Sequence, residues 1–194
     1  MGYNLIKMQK KLKKYVDESR YVHTLGVMYT AAALAMRYDA DLEKAQVAGL
    51  LHDCAKCIPS EEKLKMCKKN HIEISEAERV NTGLLHAKLG AFLAKEKYGI
   101  ADEGILQAIR VHTTGCPEMT LLDKIVYIAD YIEAGRKKLP NHAEVRKLAF
   151  CDLDDCLYRI LEDSLVYLES KGSVVDSMTE QTYLYYKRIK KEMA

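Results

Sequence analysis

Apolar side chains along this chain recur every three or four residues for almost its whole length, the spacing that gives an α-helix one hydrophobic face. No credible series of strictly alternating runs, the mark of half-buried strands, accompanies them. The faces and their end signals predict a basic amphipathic helix from about Asn4 to Tyr15 and a second from about Arg20 to Arg37. A third follows Asp41, a good N-cap, and ends near His52-Asp53. Ala45, Ala48 and Gly49 share the His52 face of that helix, so another helix can approach closely there.

Pro59-Ser60 opens a short charged helix to about Lys69, and Ser75 to Glu78 is a capping-box pattern ahead of a strong helix that stops at Tyr98-Gly99. Ile105 to His112 is the next helix, broken by Thr113-Thr114-Gly115-Cys116-Pro117. Thr120 to Asp123 is a second capping box, opening a helix through about Gly135. After Pro140-Asn141 one long helix covers about His142 to Ser170, and Ser177 to Glu180 caps the last. The expected fold is all-α, a single domain over residues 1–194 with about eight or nine helices. Its chemistry lies within about 20–136, and the helices of 142–194 pack on that core.

At 194 residues, 48% hydrophobic and 30% charged, the composition is that of an ordinary globular protein. A net charge of +2 is too small to argue for nucleic acid, so an anionic substrate would need positive charge concentrated locally. The N-terminus reads as lacking a secretory leader, and no apolar run approaches the ~18 residues of a membrane span. The expected location is therefore cytoplasmic, with no membrane partner and with the six cysteines reduced. Cys54 and Cys57 have C-x-x-C spacing but neither a βαβ context nor a second pair, so they are read as incidental.

His52-Asp53, closing the apolar stretch AGLLHDCAK, carries the strongest chemical signal. An adjacent imidazole and carboxylate start a metal site, and His23 upstream with His86, His112 and Asp130 downstream supplies four more candidate ligands on separate helices. His86 follows Leu-Leu as His52 does, His112 ends the apolar AIRVH, and Asp130 interrupts the apolar KIVYIADYI. A carboxylate there is costly unless paired or coordinated; a buried salt bridge would explain Asp130 alone, but not the whole set. His71, among charges, and His142, at a helix start, have unremarkable contexts. Mixed imidazole and carboxylate ligands suit Fe, Mn, Co, Ni or Zn. A bridging carboxylate can hold two such cations a few Å apart, where they clamp phosphate and lower the pKa of water, and Asp53 is the natural bridge.

The order His23, His52-Asp53, Asp130 resembles the HD-domain metal-dependent phosphohydrolase superfamily. The stretches RYVHTLGV, LLHDCAK, LLHAKLGA, VHTTG and DKIVYIADYIEAGR resemble its YqeK-like bacterial branch, the symmetrical diadenosine tetraphosphate hydrolases, over about residues 20 to 136. The resemblance implies an HD fold and cleavage of diadenosine tetraphosphate to two ADP. It implies that His23, His52, Asp53 and Asp130 hold one metal, and that Asp53 bridges to a second held by His86 and His112. It points to iron, whereas the ligands alone leave manganese, cobalt and zinc open.

Lys56 falls where the H-D-x-x-K pattern puts a lysine, to contact phosphate and serve with Asp53 in catalysis or to be solvated after a helix end. Arg136 is read as a phosphate ligand or the ion-pair partner of Glu133, and the Thr113 and Thr114 hydroxyls as phosphate contacts or turn formers. Ala134 stands where the resemblance leads one to expect proline. The expected partner is a dinucleoside polyphosphate with ADP as product, and a homodimer is left open. Other nucleotide phosphohydrolases, a di-iron oxygenase and a non-catalytic nucleotide sensor use similar constellations and remain alternatives.

Overall fold

The computed structural model describes residues 2–136 and 141–193, and among these the regular structure is entirely helical. In chain order the helices are α1 (Leu5–Leu12), α2 (Glu18–Arg37), α3 (Leu42–Leu51), α4 (Ser60–Lys69), α5 (Glu76–Val80), a 3-10 turn (Thr82–Leu84), α6 (Leu85–Tyr98), α7 (Glu103–Val111), α8 (Leu121–Ile132), α9 (His142–Ala149), α10 (Leu153–Ser170) and α11 (Ser177–Met193). Among the described residues eleven α-helices stand where eight or nine are expected from the pattern. The Ser75 capping box closes around its own short helix, α5, rather than leading into α6. The expected helix of residues 142–170 is two helices, because Asp152 adopts φ −144° and its side chain accepts the Asp155 amide, starting α10 afresh. The apolar rhythm continues across that break, so periodicity alone does not reveal it.

Two apolar cores flank the candidate ligands. Leu50, Leu51, Leu85, Leu89, Ile105 and Ile109 anchor one between α3, α6 and α7. Val27, Leu34, Ile125, Ile128, Leu157 and Ile160 anchor the other between α2, α8 and α10. The helices α9, α10 and α11 close over this second core, with Val145, Ala149, Leu161 and Tyr186 buried in it. The expected close approach at Gly49 is present: a Cβ there would lie 3.0 Å from the Met28 Cα of α2 and 3.3 Å from the Ala31 Cβ. That contact brings α2, and with it His23, against the end of α3.

Candidate metal centre

The helices α3 and α7 both stop one residue before a histidine, leaving His52 and His112 as their C-cap residues. Carbonyls in the last helical turn lack intrahelical donors. The imidazoles supply them: His52 Nδ1 donates to Gly49 O at 2.7 Å and His112 Nδ1 to Ile109 O at 2.7 Å. His86, in the first turn of α6, donates from Nδ1 to Gly83 O at 2.5 Å. His23 on α2 reaches instead to a carboxylate, Glu133 Oε1, at 3.0 Å. Each Nδ1 faces an acceptor, so the proton resides there and each Nε2 offers its lone pair inward.

These four Nε2 atoms converge on Asp53, which lies not within α3 but in the turn just after it. Asp53 Oδ2 is 3.4 Å from His52 Nε2 and 3.8 Å from His23 Nε2. Asp53 Oδ1 is 3.1 Å from His86 Nε2 and 3.8 Å from His112 Nε2. Asp130 Oδ1 adds a second carboxylate oxygen 3.0 Å from His23 Nε2 and 3.7 Å from His52 Nε2. One carboxylate therefore turns an oxygen to each of two ligand groups, and all six expected ligands meet.

The donor set fits cations. His23 Nε2, His52 Nε2 and Asp53 Oδ1 are buried without a hydrogen-bond partner, a cost that an ion between them would remove. Two triads, His23–His52–Asp130 and His52–Asp53–His112, each bring ligand atoms within 4.8 Å of one another. Burial disfavours the Asp53 carboxylate, but the His52 and His86 imidazoles outweigh it and hold its pKa well below the usual carboxylate range. Burial likewise opposes ionisation of Asp130, and His23, His52 and Arg136 together reverse it, so its pKa is also lowered. His112 shifts the other way: burial, then repulsion from His86 and His52, pushes it down to about 3, so it stays neutral, as a metal-ligating imidazole must be.

The remaining expected residues divide. Thr113 Oγ1 lies 3.1 Å from His112 Nε2 and 3.3 Å from His86 Nε2. Lys56 Nζ lies 3.2 Å from His86 Nε2 and 3.8 Å from Asp53 Oδ1, beside the same pair of ligands. The Thr114 hydroxyl is spent on Gly115 O, in the turn. Arg136 does not pair with Glu133; its Nη2 is 2.5 Å from Asp130 Oδ1 and its Nε donates to Asp130 O at 2.8 Å. The reason is that α8 ends at Ile132, short of Gly135, so Glu133 leaves the helix with ψ 150° and turns inward. Cys54 and Cys57 face different partners, Gly90 O and Asp17.

Three contributors lie outside the expected set. Arg20 donates from Nη1 to Asp53 Oδ2 at 2.6 Å, although its sequence context marks only a helix start. Glu133 orients His23 from 110 residues away, a separation no local pattern spans. It also accepts the Gly135 amide at 2.6 Å, and it packs on Gly26, where a Cβ would come within 2.5 Å of Oε2. His142, read as unremarkable, is 3% exposed because the start of α9 folds over Tyr131. His71, by contrast, is exposed as its charged neighbours suggest.

A cavity of 530 Å³ opens on the His23–Asp130 side of the centre. His112 also reaches it; Arg20, Thr113, Glu133 and Arg136 bring charged and polar groups to its wall, and Tyr127, Tyr131 and Ile160 bring apolar surface. Lys56 is not among its lining residues.

Residues 20–135 match the HD domain family model, a span that includes all six candidate ligands. The chain is similar to the symmetrical bis(5'-nucleosyl)-tetraphosphatase of Bacillus subtilis strain 168, with 43% identity covering 89% of this chain and 91% of that protein. It is 34% identical to the protein of the same name from Staphylococcus aureus, over 94% of both chains. Among solved structures, an HD superfamily hydrolase from Clostridium acetobutylicum, described as involved in NAD metabolism, superposes with a TM-score of 0.92 at 40% identity, covering 97% of this chain and 99% of that one. With the helical order, the converging ligands and these relatives in agreement, the chain belongs to the HD domain family.

Proposed function

We propose that this chain is a symmetrical bis(5'-nucleosyl)-tetraphosphatase, hydrolysing diadenosine tetraphosphate with one water to give two ADP. The observation that carries the phosphohydrolase reading is Asp53, with Oδ2 turned to His52 and His23 and Oδ1 to His86 and His112. The tetraphosphate substrate comes from the relatives, three of which carry that activity in their names over 89% or more of this chain.

His23, His52, Asp53 and Asp130 would hold one cation, and Asp53, His86 and His112 a second. Iron is the metal we favour, with manganese, cobalt and zinc compatible with the same ligands. When bound, such a pair supplies an activated water and a clamp on phosphoryl oxygens. The chain's own residues do the rest. The Nδ1 acceptors hold each imidazole in its liganding tautomer and orientation. Arg20 and Arg136 put guanidinium groups at the ligand end of the cavity, where they would bind phosphate oxygens and stabilise charge on the departing ADP. The Thr113 hydroxyl, which lines the cavity beside His112, would position the attacked phosphoryl group, and Lys56, beside His86, would stabilise its charge.

The test is product analysis with metal-loaded protein. Diadenosine tetraphosphate should yield ADP alone, and in heavy-oxygen water one ADP of each pair should carry the label on its terminal phosphate. ATP and AMP in equal amounts would refute the symmetrical cut. Absence of cleavage at full metal loading would refute the enzyme.

A further inference from the structure

We propose that Arg146 of α9 is a positioning residue of the centre: by clamping the end of α8 it sets the affinity for the cation of His23, His52, Asp53 and Asp130. This rests on the two-cation reading above and not on the identity of the substrate. The end of α8 carries two groups that this cation needs. Asp130 supplies a ligand oxygen, and Glu133, the C-cap, orients His23. The same stretch is short of hydrogen-bond donors, because the last carbonyls of a helix have no intrahelical partner. Ile132 and Glu133 are each 3% exposed, so water is a poor substitute there. Arg136 Nε takes Asp130 O at 2.8 Å. Arg146 takes two more: its Nε donates to Ile132 O and its Nη2 to Glu133 O, both at 2.8 Å. The rigid fork of a guanidinium fixes orientation as well as position, and a cation is the charge that a helix C-terminus favours. With its carbonyl held, Glu133 keeps the ψ of 150° that turns its carboxylate back to His23 Nδ1 and to the Gly135 amide.

The helix that delivers this arginine is itself pinned. Val145 and Ala149, on either side of Arg146, are buried in the second core. At its far end Ala149 O accepts the Tyr38 hydroxyl at 2.8 Å and Phe150 O accepts Arg37 Nε at 2.7 Å, both from the C-terminal end of α2. At its start the Asn141 side-chain amide holds Asp163 of α10. Thus α9 bridges the helix that bears His23 and the helix end that orients it. Arg146 lies beyond residues 20–135, the span that matches the HD domain family model, so here the brace comes from a helix outside that span. The ligands on the other side of Asp53 have no such dependence. His86 and His112 are oriented by Gly83 O and Ile109 O, three residues before them on their own segments.

Competition between the full chain and a chelator for Mn(II) tests this in two backgrounds: His86→Ala, which keeps the cation on the His23 side, and His23→Ala, which keeps the other. Arg146→Ala should weaken the His23-side cation about tenfold and leave the other unchanged. Arg146→Lys keeps the charge without the fork, so it should fall between, and it carries the test if the alanine variant does not fold. Adding Arg146→Ala to Glu133→Ala should cost no further affinity, because the arginine acts through Glu133. A lower thermal midpoint with His23-side affinity unchanged would overturn the proposal, by reducing Arg146 to a stabilising residue. Equal weakening of both cations, or an additive loss in the double variant, would overturn it too, and each leaves the proposed function standing. A wild type that binds no Mn(II) would overturn the centre itself along with its clamp.

Discussion

On one side of Asp53, His86 and His112 bring their Nε2 atoms within 3.0 Å of each other, at 2% and 1% side-chain exposure, each oriented by a carbonyl three residues earlier. On the other side, His23 and Asp130 are 12% and 19% exposed and face the cavity. His23 is oriented by Glu133, whose backbone carbonyl, with that of Ile132, is gripped by Arg146 of α9 at 2.8 Å. The first side is assembled from short-range backbone geometry and is the more sealed: of its two imidazoles, His112 reaches the cavity wall and His86 does not line it. The second depends on a chain of contacts running through α8 and α9, and it is where substrate has room. The difference predicts that the sealed side tolerates surface change, while the open side is sensitive to residues well removed from it.

The largest expected effect is on the residue both sides share. Asp53→Ala should remove both cations and lower turnover by on the order of a thousandfold, read by metal analysis and product formation. Two retained metals would show that the sides are independent. Next, His86→Ala should release the sealed-side cation and keep the other, whereas His23→Ala should do the converse. Loss of both from either variant would show that the sides are coupled through more than Asp53.

Stripping metal with a chelator should lower the thermal midpoint, because Asp53 and Asp130 are then left facing each other's ligands without the cation. A metal at a hundred times its dissociation constant contributes ~2.7 kcal/mol to the folded state. Glu133→Ala should weaken the open-side metal by about 10- to 100-fold, with sealed-side affinity preserved, as measured by competition with a chelator; equal weakening of both would erase the proposed asymmetry. The smallest effect belongs to the cysteines. Replacing Cys54 and Cys57 together by serine should leave metal stoichiometry unchanged, at a stability cost on the order of 1 kcal/mol for the buried Cys54.

The same asymmetry separates what could be read along the chain from what could not. Helical periodicity, Asp41, Ser75 and Thr120 as caps, and the small face around Gly49 gave the all-helical architecture, since each depends on neighbours a few residues away. The six candidate ligands stood out because a histidine or aspartate inside an apolar run has a high desolvation cost and needs a partner. The break before α10 and the early end of α8 escaped, because Asp152 and Glu133 interrupt helices without interrupting the apolar rhythm. Arg136 changed partner for that reason.

What the chain determined by itself is therefore the inventory: helices, their caps, and six polar residues placed where burial makes them costly. Tertiary structure alone decided which atoms of that inventory meet. It turned the two oxygens of Asp53 to opposite sides, brought Glu133 to His23 across 110 residues, placed Arg20 on Asp53, and buried His142 beside Tyr131. Local spacing sets which face of a helix a side chain occupies, whereas the partner on that face comes from another helix, and its identity is fixed only when the two cores pack.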